Sequence, residues 1–193
     1  RSSDLGGGGV EKMKEYRDNV RRQAAEFGRN PDDIKVLFLA QPIIDVSMEA
    51  ARERVRMKEV EMDQHIDLHL SGMSRLTGID FSKFDLDAPL PELTTNGHQS
   101  SLAKWIGKTP RSIVKTYGRK GGIDFSGTAD HVAGMMQEVM EEVGGDGFLF
   151  FNSYFDRRYV IEVCDGLVPE LQRRGLTRKA YAHRHLRDNL LEF

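Results

Sequence analysis

Apolar side chains return at three- and four-residue steps through Val10, Met13, Tyr16, Val20, Ala24 and Phe27, which predicts an amphipathic helix. Gly28 supplies its stop, and the polar run 29–33 makes a turn around Pro31. Residues 34–40 are then apolar except for Lys35, the pattern of a strand buried on both faces in a parallel sheet. Ser47 offers an N-cap with Glu49 in the first turn, opening a long charged helix from about Met48 to Leu70 or beyond. From Gly72 to about Thr95 neither a helical nor a strand period survives, and 85–91 alone carries two Asp and two Pro. Two short helices follow, one capped by Ser100 across 102–106 and one capped by Thr109 with Pro110 at its first position. A short strand at 123–125 leads to Thr128, the N-cap of a helix striped with Val132, Met135, Met136, Val139, Met140 and Val143. Phe148–Phe151 reads as another buried strand. A last helix over 158–174 turns Val160, Val163, Cys164, Leu167 and Leu171 inward before Gly175.

Strands alternating with helices define an α/β chain, and a chain of 193 residues is one domain by length. Residues 1–9, with four consecutive glycines, read as a flexible lead-in or linker ahead of a folded part over 10–193. The irregular insertion occupies about 72–120 of that part. Three strands are too few to close a (β/α)8 barrel, which needs eight. Basic and acidic side chains balance at 28 against 30, so counterion release offers no route to nucleic-acid binding. The apolar runs are far shorter than the ~20 residues of a membrane span, and the opening residues lack a signal-peptide pattern. The expectation is a cytoplasmic protein with no membrane and no nucleic-acid partner. One cysteine, Cys164, excludes an internal disulfide and a multi-cysteine zinc site, and on the apolar side of its helix it reads as a buried small hydrophobe.

Four stretches together carry a family resemblance: 24–37 (AAEFGRNPDDIKVL), 90–100 (LPELTTNGHQS), 125–133 (FSGTADHVA) and 168–176 (VPELQRRGL). In order and spacing they resemble the nitrilotriacetate monooxygenase group of the bacterial-luciferase-like superfamily, and the tail from Arg178 to Leu190 resembles the family's closing residues. The resemblance covers about 16–193. It implies the C-terminal part of a TIM (β/α)8 barrel with a long insertion, incomplete in this chain, because family members are roughly twice as long. It also implies an FMN-dependent two-component monooxygenase. Reduced FMN from a separate flavin reductase reacts with O2 to a flavin hydroperoxide that oxidises a small organic substrate. An alternative of another class is a non-catalytic half-barrel that pairs with a missing N-terminal half or with an identical copy, since unpaired strand edges and uncovered apolar faces associate. A flavin- or substrate-binding remnant without turnover is a third.

The candidate residues follow from these placements. Asn96, His98 and Gln99 close the insertion just before a helix, where a loop can overhang a barrel mouth. They offer donors and acceptors to a flavin or substrate, and His98 can move a proton near neutral pH. The family has a small residue where His98 stands, so a catalytic role is not inherited, and Asn-Gly also suits a plain turn. Asn152 and Tyr154 follow the strand at 148–151, a position that lines substrate pockets in barrels. Ser2 and Ser3 are the counterpart, by resemblance, of a Gly-Ser-Ser loop that holds the flavin phosphate, and they serve equally as an unstructured lead-in. His65 and His69 are four apart on a charged helix, a spacing that suits a solvated face better than a metal, and no metal is expected.

Overall fold

The computed structural model describes residues 9–118, 123–151 and 156–192. These divide into two compact bodies, one of residues 53–118 and the other of 9–52, 123–151 and 156–192.

The second body is α/β. Helix α1 (Gly9–Glu26) precedes a 3-10 turn at Pro31–Asp33, whose N-cap Asn30 accepts the Asp32 N–H. Strands β1 (Phe38–Ala40) and β2 (Ile43–Ile44) are separated by Gln41 and Pro42, the latter having no N–H to give a ladder. Helix α2 (Met48–Gln64) starts in this body, and strand β3 (Ser126–Gly127) leads into helix α6 (Ala129–Val143). Strand β4 (Phe148–Phe150) then precedes helix α7 (Arg157–Ile161), a π-helical stretch at Glu162–Leu167 and helix α8 (Val168–Arg173). Helix α9 (Leu186–Leu191) closes the chain.

Both ladders are parallel. β1 pairs β4 with Phe38 opposite Phe148, and β2 pairs β3 with Ile43 opposite Ser126. Every second residue faces the helices: Phe38 and Ala40 pack with Met13, Phe125, Val132, Met136 and Val143, while α6 presents the apolar stripe its sequence predicts. At the feet of the strands Asp146 accepts the Val36 N–H at 2.8 Å and draws Lys35, Arg17 and Arg21 to within 3.8–4.0 Å.

The first body is helical. Helix α3 (Ile66–Thr77) runs beyond the expected start of the irregular region and ends on left-handed Gly78. A 3-10 turn at Phe81–Lys83, helix α4 (Gln99–Trp105) and helix α5 (Pro110–Gly118) complete it. The chain from 84 to 98 has no helix or strand but is firmly tied: Arg111 donates to both Asp87 oxygens at 2.8 and 3.1 Å, and Leu90 exchanges backbone bonds with Gly107 and Lys108. Phe81, Trp105, Leu102, Leu70, Met73, Ile113 and Val114 form the core, with the Phe81 and Trp105 rings edge-on at 5.7 Å.

Several expectations are corrected. The charged helix expected as one breaks at His65, so α2 and α3 are separate. The strand expected at 123–125 forms its ladder one step later, because the partner groups are the Ile43 N–H and Asp45 N–H, which bond Phe125 O and Gly127 O. Ser100 is not the cap of α4; His98 is. Cys164 is exposed, not buried. It sits in the π-helical stretch, whose wider i→i+5 turn shifts the register on which the apolar stripe was counted, so Leu167 is buried while Val160 and Cys164 face out.

Candidate functional site

Because both ladders are parallel, the helix-bearing ends of the strands gather on one side of the α/β body, the side on which open and closed α/β enzymes build their sites. Three helix starts lie there. Ser47 Oγ accepts Ala50 N–H at 3.1 Å, Thr128 Oγ1 accepts His131 N–H at 3.4 Å, and Asp156 Oδ1 accepts Tyr159 N–H at 2.7 Å. Gly127 is required in its turn: a Cβ would stand 2.7 Å from His131 Cδ2 and 2.9 Å from Met48 Sδ.

Asp45 joins two of these connections. Its Oδ1 accepts Val46 N–H at 2.8 Å and its Oδ2 accepts from Arg158 Nη2 at 3.1 Å; Arg158 Nε donates to Glu162 at 2.6 Å. Hydrogen bonding to Glu162 pushes the Arg158 guanidinium above its ordinary pKa, so the cation is permanent. Next to it, burial raises the Tyr159 phenol to about 12, keeping it a neutral hydroxyl at physiological pH. Neither Asp45 nor Arg158 stood out in the sequence. The available signal is position alone, an acid directly after a strand.

The Asn96–Ser100 segment belongs to the helical body. Thr95 Oγ1 donates to Thr77 O, Gly97 N–H donates to Thr95 Oγ1 at 2.9 Å, and His98 N–H donates to Leu76 O at 3.1 Å. Gly97 lies so close that a Cβ would be 2.7 Å from Thr77 O. The segment is therefore pinned to the end of α3. His98 Nδ1 accepts Ser101 N–H and approaches Ser100 Oγ, both at 3.3 Å, which places the ring hydrogen of the neutral imidazole on Nε2. Asn96 and Gln99 are exposed, Gln99 Nε2 donating to Thr95 O at 3.3 Å. The structure thus brings Asn96, His98 and Gln99 together on one hook and gives His98 a capping bond.

Ser2, Ser3, Asn152 and Tyr154 lie outside the described residues. Among the described residues, no three His, Cys, Asp or Glu side chains gather as a metal site; His65 marks the break between α2 and α3, and His69 is on α3. A flavin phosphate needs unpartnered donors. At the strand ends the helix starts are each capped by their own chain, and Asp130 occupies the first turn of α6. The described residues do not form a phosphate cradle.

A parallel-stranded α/β body with a helical insertion between its first and second strand–helix units is the architecture present. The family model for luciferase-like monooxygenases matches residues 5–147, and the chain belongs to that family. N-acetyl-S-(2-succino)cysteine monooxygenase of Bacillus subtilis (strain 168) is 30% identical over 190 residues, which cover 93% of this chain and 43% of that protein. Nitrilotriacetate monooxygenase component A of Aminobacter aminovorans is 29% identical over 187 residues, covering 92% and 41%. In structure the chain is similar to riboflavin lyase solved with modified FMN and riboflavin, with a TM-score of 0.79 and 26% identity over 97% of this chain and 42% of that one. The chain spans about two fifths of the length of these relatives. No helix among the described residues is long and apolar enough to cross a membrane.

Proposed function

We propose that the chain is the C-terminal portion of an FMN-dependent two-component monooxygenase, which takes reduced FMN from a separate flavin reductase and O2 to oxidise a small organic substrate. The observation that carries this reading is family membership over residues 5–147, supported by parallel strands whose helix-bearing ends share one side. The monooxygenase names of the relatives support the reaction class, and the riboflavin lyase solved with modified FMN supports the cofactor. In this reading β1 to β4 belong to a TIM barrel completed by strands that this chain does not contain. The half-exposed Leu149, on the face of β4 opposite its helices, is in keeping with that.

The chain's own residues have two tasks here. The capped helix starts and the Asp45–Arg158 tie hold the strand-end connections rigid. The pinned hook presents Asn96, Gln99 and the Nε2–H of His98 as donors to substrate or flavin, His98 supplying a proton. Asn152 and Tyr154, next in sequence after β4, line the substrate side. The phosphate of the flavin is held by residues beyond those described.

The experiment combines a flavin reductase, NADH, FMN and oxygen-18 with the protein and a panel of small sulfides, amines and alkanes, read by mass spectrometry. Oxygen-18 in a product supports the reading; uptake of FMN with no incorporated oxygen on any of the panel rejects it. His98→Asn keeps an N-cap acceptor but removes the proton donor. Its kcat is expected to fall roughly 10²-fold at unchanged fold, the usual scale of general acid catalysis. An unchanged kcat limits His98 to capping.

A further inference from the structure

The C-terminal run 173–187 holds Arg173, Arg174, Arg178, Lys179, Arg184 and Arg187, six of the chain's 28 basic side chains and none of its 30 acidic ones. Arg173 and Arg174 are spent on Asp130 and Glu170. Arg178 donates to Asn189 O at 2.5 Å and stacks on Tyr181. Lys179, Arg184 and Arg187 have no carboxylate within ion-pair distance among the described residues. The segment is nonetheless held in one shape. Asn189, 4% exposed, bonds His183 N–H and O and His185 O through its side chain at 2.7–3.1 Å. That shape displays Tyr181 and Leu186 at 75% and 72% exposure among the unpaired cations. Ordered, basic and apolar together, it is a ready-made contact surface.

The same body carries the opposite problem on α6. Glu138, Glu141 and Glu142 are exposed on its last turns without a cationic partner among the described residues, and the last turn has no basic side chain. Glu138 and Glu142 are four apart, so they repel, and all three stand at the negative end of the helix dipole. A cationic surface relieves both penalties. Three unpaired cations and three unpaired carboxylates thus sit in one chain without meeting.

We propose that the tail of one copy, through Lys179, Arg184 and Arg187, docks on the Glu138–Glu142 turn of α6 in a second copy, with Tyr181 and Leu186 covered at the contact. The proposal is independent of the monooxygenase reading, and its test reads association alone.

Sedimentation of the chain is expected to show a dimer that dissociates as salt rises from ~0.05 to ~0.5 M, as exposed charge pairs are screened. The triple variant K179E/R184E/R187E and the triple variant E138K/E141K/E142K are each expected to weaken self-association roughly tenfold or more. Their equimolar mixture is expected to recover it, because each restores the other's complement. All six side chains are exposed, so circular dichroism of each variant reports the native spectrum. A monomer at all concentrations, a dimer indifferent to tail reversal, or a mixture that fails to associate overturns the proposal; a monomer assigns the tail surface to the remainder of a longer chain instead.

Discussion

The two bodies solve the burial problem differently. Residues 53–118 enclose their apolar side chains completely: Phe81 is 0% exposed, and Trp105 and Ile113 are nearly so. The α/β body seals only the helix side of its strands. Phe38 and Ala40 are buried there, whereas Leu149, in register with Leu39 on the other face, is 54% exposed. A short helical segment thus builds a core from sequence-local aromatic contacts, while parallel strands bury one face on their helices and leave the other to whatever further strands complete the sheet. The insertion is the finished part of the molecule and the sheet the unfinished one.

Phe81→Ala breaks the finished core and carries the largest expected effect. It removes a ring packed edge-on against Trp105 and 5.8 Å from Phe84, so a loss of ~3–5 kcal/mol follows from cavity formation around a fully buried aromatic. Hydrogen exchange should show amides of 66–118 opening well before those of α6. Simultaneous opening of both bodies would reject their separate cores.

Helices α1 and α6 were legible because their apolar stripes have a clean helical period and α6 has a Thr cap. What escaped has physical reasons. β2 is two residues behind a proline, too short for periodicity. The cap of α4 is an imidazole acceptor, chemically apt but outside the usual Ser, Thr, Asp and Asn set, so Ser100 drew the assignment. The π-helical stretch breaks the period on which Cys164 was placed. The Asp146 hub joins groups as far as 110 residues apart, a closeness that no local pattern announces. For the candidate site, the composition of 96–99 signalled polar chemistry, but its pinning to α3 is a backbone matter invisible in side-chain identity.

That pinning supplies the intermediate effect. Gly97→Ala puts a Cβ 2.7 Å from Thr77 O, 2.8 Å from Thr77 C and 3.0 Å from Leu76 O, all backbone atoms that cannot rotate away. The hook must lift, at a cost of ~1–3 kcal/mol, the range for overpacking. The measurement is chemical denaturation together with the NMR shifts of Ser101 and His98, which should lose the signature of the Nδ1 capping bond. Unchanged shifts would show that the hook tolerates displacement and that Gly97 is there only for the turn.

Leu149→Gln probes the open face and should change stability least, within ~0.5 kcal/mol, since a side chain already half in water loses little by becoming polar. Set beside Phe81→Ala, the contrast is the sharpest statement of the difference between the bodies. Its second readout is association. Leu149 lies apart in sequence from both the tail cations and the α6 carboxylates, so the substitution should reduce turbidity and nonspecific aggregation while leaving a salt-sensitive dimer in place. A destabilisation above ~2 kcal/mol would mean that the Leu149 face is sealed in solution. Loss of the dimer would place self-association on the strand face, not on the tail, and the two kinds of contact would then be one.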